Sequence, residues 1–197
     1  MISWFKRSRR YAVLLVLWGL AGLAAGASVP APALAAEPPK FAGLSGDFSP
    51  IDPPLQMPEA GFEDKLGDKL SLKDFQGKVV ILNFWATWCG PCVLEMPTLD
   101  RLQGKLGGKD LAVVAVALDR EGIKKAAPFY RQTGVANLTL YTDRRGSLFE
   151  ELDGRNLPTT FILDRAGRVV GKLVGAAAWD SDAAVMLIRH YLDAKAS

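Results

Sequence analysis

Residues 78–92 read Lys78-Val79-Val80-Ile81-Leu82-Asn83-Phe84-Trp85-Ala86-Thr87-Trp88-Cys89-Gly90-Pro91-Cys92. The continuous apolar run Val79-Val80-Ile81-Leu82, entered from Gly77, predicts a buried strand over Lys78–Trp85. A helix is expected from Cys89 to about Leu106, so the cysteine pair stands where a strand hands over to a helix. A Cys-x-x-Cys at a helix start places its first sulfur beside unsatisfied backbone N–H groups and the positive end of the helix dipole. Both favour the thiolate and lower its pKa below the free value of roughly 8.5. Cys89 is the candidate nucleophile. Cys92, one turn further in and more covered, is the candidate resolving thiol that attacks a mixed disulfide at Cys89 and releases the partner. Gly90 and Pro91 shape the turn between them.

Working outward, Leu111–Leu118 is a second apolar run. Glu121–Thr133 predicts an amphipathic helix, with Ile123, Ala126, Ala127 and Tyr130 at helical spacing. A short strand is expected near Leu138–Tyr141 and a helical piece near Ser147–Leu152. A hairpin pairs Thr159–Leu163 with Val169–Val174 across the turn Asp164-Arg165-Ala166-Gly167, and a closing helix runs from Asp182 to Leu192. Strands separated by helices, ending in a hairpin and helix, specify an α/β fold with a central mixed sheet flanked by helices. Upstream, eight of the twelve prolines fall between residues 30 and 58. Residues 36–58 therefore predict an extended tether, with the folded domain occupying residues 59–197.

The chain has 197 residues, 49% apolar and 23% charged, which excludes a disordered, collagen-like or polytopic membrane protein. Its net charge of +3 is local, because Lys6, Arg7, Arg9 and Arg10 stand in the first ten residues. Beyond Ala35 the remaining 162 residues carry 20 bases and 21 acids, which leaves no electrostatic case for nucleic acid. Residues 1–35 read as an export signal: the basic start, an uncharged run from Tyr11 to Ala27, then Ala33-Leu34-Ala35 as a peptidase site. The alternative is a retained membrane anchor, although Tyr11–Ala27 is 17 residues, against roughly 20 for a full span. Either way the basic flank stays inside and the domain is expected outside the cytoplasmic membrane, periplasmic or extracytoplasmic, where cysteines are oxidised unless actively reduced.

A structural staple would not close so small a loop, since the chain-entropy gain is about 2 kcal/mol there against about 5 for a long one. A zinc site needs four ligands, and two thiols with the single His190 do not supply them. Redox chemistry is the reading that remains, with a two-thiolate Cu(I) site as an alternative.

The run from Asn83 to Cys92, with Pro97 five residues on, resembles a thioredoxin active site, and Leu157-Pro158-Thr159-Thr160-Phe161 resembles that family's cis-proline loop. Gly77-Lys78, Glu95-Met96-Pro97 and the extra helix and strand between Leu118 and Leu152 make the chain similar to the exported TlpA/ResA-like branch, over about residues 50–195. The resemblance implies a thioredoxin-like fold with a helix-strand insertion. It also implies a cis Pro158 facing Cys89, where the neighbouring backbone pairs with substrate; the plainer reading of Pro158 is a strand-entry residue. Trp88, Gly90, Pro91, Leu157 and Thr159 are then the expected substrate surface, and Trp85 is core. Where ordinary thioredoxin has a buried Asp, this chain has Asn83, and Leu111–Leu118 carries no Lys to pair with such an acid. Glu95, three residues after Cys92, is the candidate proton acceptor or else a solvated first-turn residue. Trp179 is expected to pack at the start of the last helix, and His190 to lie on a helix face.

The function implied is a thiol-disulfide oxidoreductase, as a reductase of protein disulfides supplied by a membrane thiol reductant. The CxxCH of apocytochrome c and copper-site assembly proteins are substrates the resemblance suggests. Neither a cofactor nor a resident metal is expected, and the chain is expected to be a monomer. A Cu(I) chaperone and a disulfide-donating oxidase are the alternatives. Leu82, where a thiol peroxidase would carry a proline, excludes that chemistry, and the Gly-Ala-Pro-Glu loop of dedicated cytochrome c maturation thioredoxins is replaced by Asn156-Leu157-Pro158-Thr159.

Overall fold

Every residue of Val79–Trp85 is buried, and the segment is paired on both sides, parallel with Leu111–Ala117 and antiparallel with Thr159–Leu163. This is why it needs no polar face. A computed structural model describes residues 37–194; the expected export signal lies outside them. In chain order the elements are β1 (Ser49–Leu55), β2 (Phe62–Asp64), β3 (Lys69–Leu70), a 3-10 turn (Leu72–Phe75), β4 (Val79–Trp85), α1 (Gly90–Leu106), β5 (Leu111–Ala117), α2 (Ile123–Thr133), β6 (Tyr141–Thr142), α3 (Ser147–Glu151), β7 (Thr159–Leu163), β8 (Val169–Val174) and α4 (Asp182–Asp193). The eight strands form one mixed sheet in the order β1-β8-β7-β4-β5-β6-β2-β3.

Alternate side chains of each strand go to opposite faces. Val79, Ile81 and Trp85 of β4 join a core with Met96, Leu99 and Leu102 of α1 and Leu187 and Ile188 of α4. Val80, Leu82 and Phe84 join a second core with Leu148 of α3 and Phe161 and Leu163 of β7. Asn83 has the parity of Ile81 and Trp85, so the one polar residue of β4 faces the helix that carries the cysteines. Among the described residues no helix is long and apolar enough to cross a membrane.

The expected tether is corrected from residue 41 to residue 55. Ser49–Leu55 is a strand that pairs antiparallel with β8, and Phe41 and Phe48 are buried against Trp179 and Tyr191, ring centroids 5.4 and 6.2 Å apart. The prolines misled because an edge strand pairs on one side only and tolerates residues without an N–H. Pro50, Pro53 and Pro54 stand on such an edge, and the register with β8 shifts between Pro50 and Leu55. Gly171 of β8 leaves the space for Phe48, since a Cβ there would lie 2.1 Å from the ring.

Two other boundaries differ. The strand expected near Leu138–Tyr141 begins at Tyr141, because the N–H groups of Ala136, Asn137 and Leu138 donate to Asp100 Oδ1 at 3.0, 2.7 and 3.0 Å instead of to a ladder. The hairpin of β2 and β3 continues the sheet beyond β6 and was not legible in strands of three and two residues.

Candidate active site

β4 ends at Trp85, and the next four residues form the turn into α1. Cys89 is the N-cap of that helix: its backbone is extended, and its sulfur accepts from the Cys92 N–H at 3.3 Å. One of the donors orphaned at a helix start thus points at sulfur, an arrangement that favours a thiolate at Cys89 in the reduced protein. Cys89 and Cys92 are joined as a disulfide with Cα atoms 5.3 Å apart. Cys92 is fully buried, whereas Cys89 keeps 6% of its surface. Of the two, Cys89 alone lines a groove beside the disulfide.

The turn is fixed from the neighbouring strand end. Asp119, just past β5 and buried, accepts from the Thr87 hydroxyl at 2.6 Å and the Thr87 N–H at 3.0 Å, and the Leu118 N–H donates to the Trp85 carbonyl at 2.8 Å. On the other side the Leu157–Pro158 peptide is cis. That loop is held by the Gly175 N–H to the Pro158 carbonyl at 2.8 Å and by the Thr159 hydroxyl to the Asn156 carbonyl at 2.7 Å.

An open groove of about 500 Å³ at Cys89 is lined by Trp88, Pro91, Leu118, Phe149 and Leu157, together with Arg155 and Asn156. Trp88 and Leu94 stand out beside the disulfide at 71% and 72% exposure, large apolar surfaces that a folded chain leaves in water only with reason. Of the substrate-contacting residues expected from sequence, Trp88, Pro91 and Leu157 line this groove. Gly90 does not, and Thr159 is buried in β7 with its hydroxyl committed to Asn156. Pro158 is buried and is not among the groove's lining residues. Trp85 lies in the core against Phe129 and Tyr130, at 4.9 and 5.8 Å, and His190 sits on α4 against Tyr191.

Glu95 is 1% exposed, which removes the reading of a solvated first-turn acid. Its Oε1 accepts from Asn83 Nδ2 at 2.8 Å, and its Oε2 from the Ala177 N–H at 3.0 Å and Trp179 Nε1 at 3.2 Å. Burial pushes its pKa up to about 7, although the Ala177, Asn83 and Trp179 donors each pull it down. A carboxylate one helical turn beyond the inner cysteine is thereby poised near neutrality. Its cover is the Ala177–Trp179 segment after β8, held to α1 by Thr98, whose hydroxyl donates to the Glu95 carbonyl at 2.7 Å and accepts from the Trp179 N–H at 3.1 Å.

Three site residues escaped the sequence reading. Asn83 figured there only as a missing acid, but its amide bridges Glu95 and the Thr160 hydroxyl, the latter at 2.9 Å. Trp179 is more than packing, since its indole N–H reaches the acid. Asp119 carried one legible signal, a lone acid at the carboxyl end of a strand parallel to β4, where open sheets place their working residues.

Residues 53–187 match the Redoxin family. The thiol-disulfide oxidoreductase ResA of Bacillus thuringiensis is 34% identical over 120 residues, covering 61% of this chain and 68% of that protein. The thioredoxin-like protein YneN of Bacillus subtilis is 38% identical over 121 residues, covering 61% and 70%. Among solved structures, a Chlorobium tepidum protein assigned as the thiol:disulfide interchange protein DsbE superimposes with a TM-score of 0.64 at 34% identity, over 72% of this chain and 99% of that one. Because the matched span runs from within β1 into α4 and carries both cysteines, the chain belongs to the Redoxin family, as a thiol-disulfide oxidoreductase of the ResA and DsbE type on a thioredoxin-like fold.

Proposed function

We propose that this oxidoreductase works outside the cytoplasmic membrane as a reductase of protein disulfides. In the reduced enzyme the Cys89 thiolate attacks one sulfur of a substrate disulfide, forming a mixed disulfide and expelling the other substrate sulfur as a thiolate. Cys92 then gives its proton to the Glu95 carboxylate, directly or through one water, and attacks Cys89. The second substrate thiol leaves, two electrons have passed to the substrate, and the Cys89–Cys92 disulfide is left for a membrane thiol carrier to reduce. Trp88, Pro91 and Leu157 hold the substrate chain along the groove, with the backbone beside Pro158 as its pairing partner. Apocytochrome c and copper-site proteins with paired cysteines are the substrates in view.

The observation that carries this reading is that Cys89 lines an open groove while Cys92 is fully buried, with a buried acid one helical turn further on. Direction rests on the Cys-Gly-Pro-Cys sequence, which in thioredoxin accompanies a potential of about −270 mV, against about −120 mV for strong oxidants. The basic, uncharged and small-residue order of the first 35 residues supports export, with a retained anchor as the variant form.

Cys92→Ser is expected to trap substrate on Cys89 as a mixed disulfide, while Cys89→Ser traps nothing. Equal adducts with both variants would remove the assignment of roles. A Cys89/Cys92 potential above about −150 mV would make the protein a disulfide donor instead.

A further inference from the structure

A second cavity, of about 810 Å³, opens at the ends of β5 and β6, and Lys69, Arg120, Arg144 and Arg145 line it with Glu63 and Asp143 as the acids. The bases outnumber the acids four to two. Both Asp143 oxygens are held by backbone, accepting from the Gly146 N–H and the Leu148 N–H at 2.9 Å each. The three guanidinium groups are Arg120, Arg144 and Arg145. Among the described residues none of them has a carboxylate within ion-pair distance. This is a local excess, because the chain beyond Ala35 has one more acid than bases. Arg144 is also built in: its Nε donates to the Arg120 carbonyl at 3.1 Å, and its stem lies over Gly122, where a Cβ would come within 3.0 Å of it.

The cleft and the thiol groove draw on the same two segments of the chain. Leu118 and Phe149 wall the groove at Cys89, and Arg120 and Ser147, two positions along the same two segments, wall the cleft. Resting on the reductase reading above, we propose that the cleft docks an acidic segment of the disulfide-bearing substrate protein. Guanidinium forks match carboxylates in geometry and sign. Its place on the segments that also line the groove fits a polypeptide that carries the disulfide as well.

The test uses the full-length enzyme and three peptides with one common disulfide and a Glu, Ser or Lys tail. The Glu-tailed peptide is expected to show a KM about tenfold below the Ser-tailed one at low salt, as three or so exposed charge pairs would give, with kcat alike. The advantage shrinks as salt is raised, a dependence that wild type alone displays without any variant. Arg120→Glu with Arg145→Glu is expected to turn the preference toward the Lys tail. Equal KM for all tails, or a Glu preference that survives the charge reversal, would overturn the proposal. So would a tail-blind enzyme whose wild type, but not the reversed variant, sediments with anionic phospholipid vesicles, which would assign the cleft to a membrane surface. Reduction of a small neutral disulfide by wild type keeps the two readings apart: if it is reduced and tails make no difference, docking alone fails, and if no disulfide is reduced, both fail.

Discussion

Glu95 shows how much of a site can hang on one burial. Its three donors are arranged for a carboxylate, so the protonated form needs an acceptor that Asn83 Nδ2 is not. Asn83 Oδ1 is buried without a partner, and a half-turn of the amide would present it to the Glu95 proton. The acid and the amide are thus coupled through one torsion. Because the folded pKa, about 7, stands above the ordinary 4.5, the folded state holds a proton that the unfolded chain has released between those values. Stability is therefore lost as pH rises from about 4.5 to 7 and is level above that. Glu95→Gln cannot ionise and escapes the loss. Relative to wild type, the oxidised variant should gain roughly 3 kcal/mol between pH 4.5 and 8, read from urea unfolding at both pH values. A pH-independent difference would show that Glu95 does not titrate in this window. In turnover the sign reverses: the wild-type resolving step should climb through about pH 7 as the carboxylate forms, and Glu95→Gln should run about ten- to a hundredfold slower with no such rise. The acid itself was legible from its spacing to Cys92. Its cover was not, because Ala177 and Trp179 lie 82 and 84 residues away.

At the scale of elements, the site is a product of two adjacent strand ends. The loop after β5 holds the loop after β4 through Asp119 and Thr87, so the cysteine turn is positioned by a parallel neighbour as well as by its own helix. Asp119→Ala strips both hydrogen bonds from Thr87 and leaves a part-buried N–H without a partner, a loss of about 1–3 kcal/mol. The expected outcome is a lower denaturation midpoint together with slower alkylation of reduced Cys89, and partial recovery of both in Asp119→Asn, which keeps one acceptor. Unchanged alkylation would make Asp119 a fold residue only. The order of strands and helices was legible because β4, β5 and the flanking helices carry long apolar patterns. What failed to show were elements whose backbone is claimed by a distant side chain, as Asp100 claims Ala136–Leu138, or whose strands are too short to alternate, as in β2 and β3.

The described domain closes on its proline-rich segment, residues 38–58. Prolines at residues 50, 53 and 54 argued for a tether, yet pattern reading cannot see that an edge strand needs only half its N–H groups, nor that Gly171 has left room for a phenyl ring. The consequence reaches the active site. Phe41 packs on Trp179, and Trp179 covers Glu95. A chain beginning at residue 59 would lose β1 and two buried phenylalanines, each worth about 3–5 kcal/mol when removed from a core. If residues 37–58 were only a tether, that chain would match one beginning at residue 36 in unfolding midpoint and in the pH profile of thiol reactivity. The packing requires otherwise: a lower midpoint, and a Glu95 ionisation moved to more acid pH as water reaches Trp179 and the desolvation that raises the carboxylate is relieved. Phe41→Ala isolates the second effect, since it leaves β1 in place while opening the cover over Trp179. Its pH midpoint should shift in the same direction as that of the shorter chain, by less.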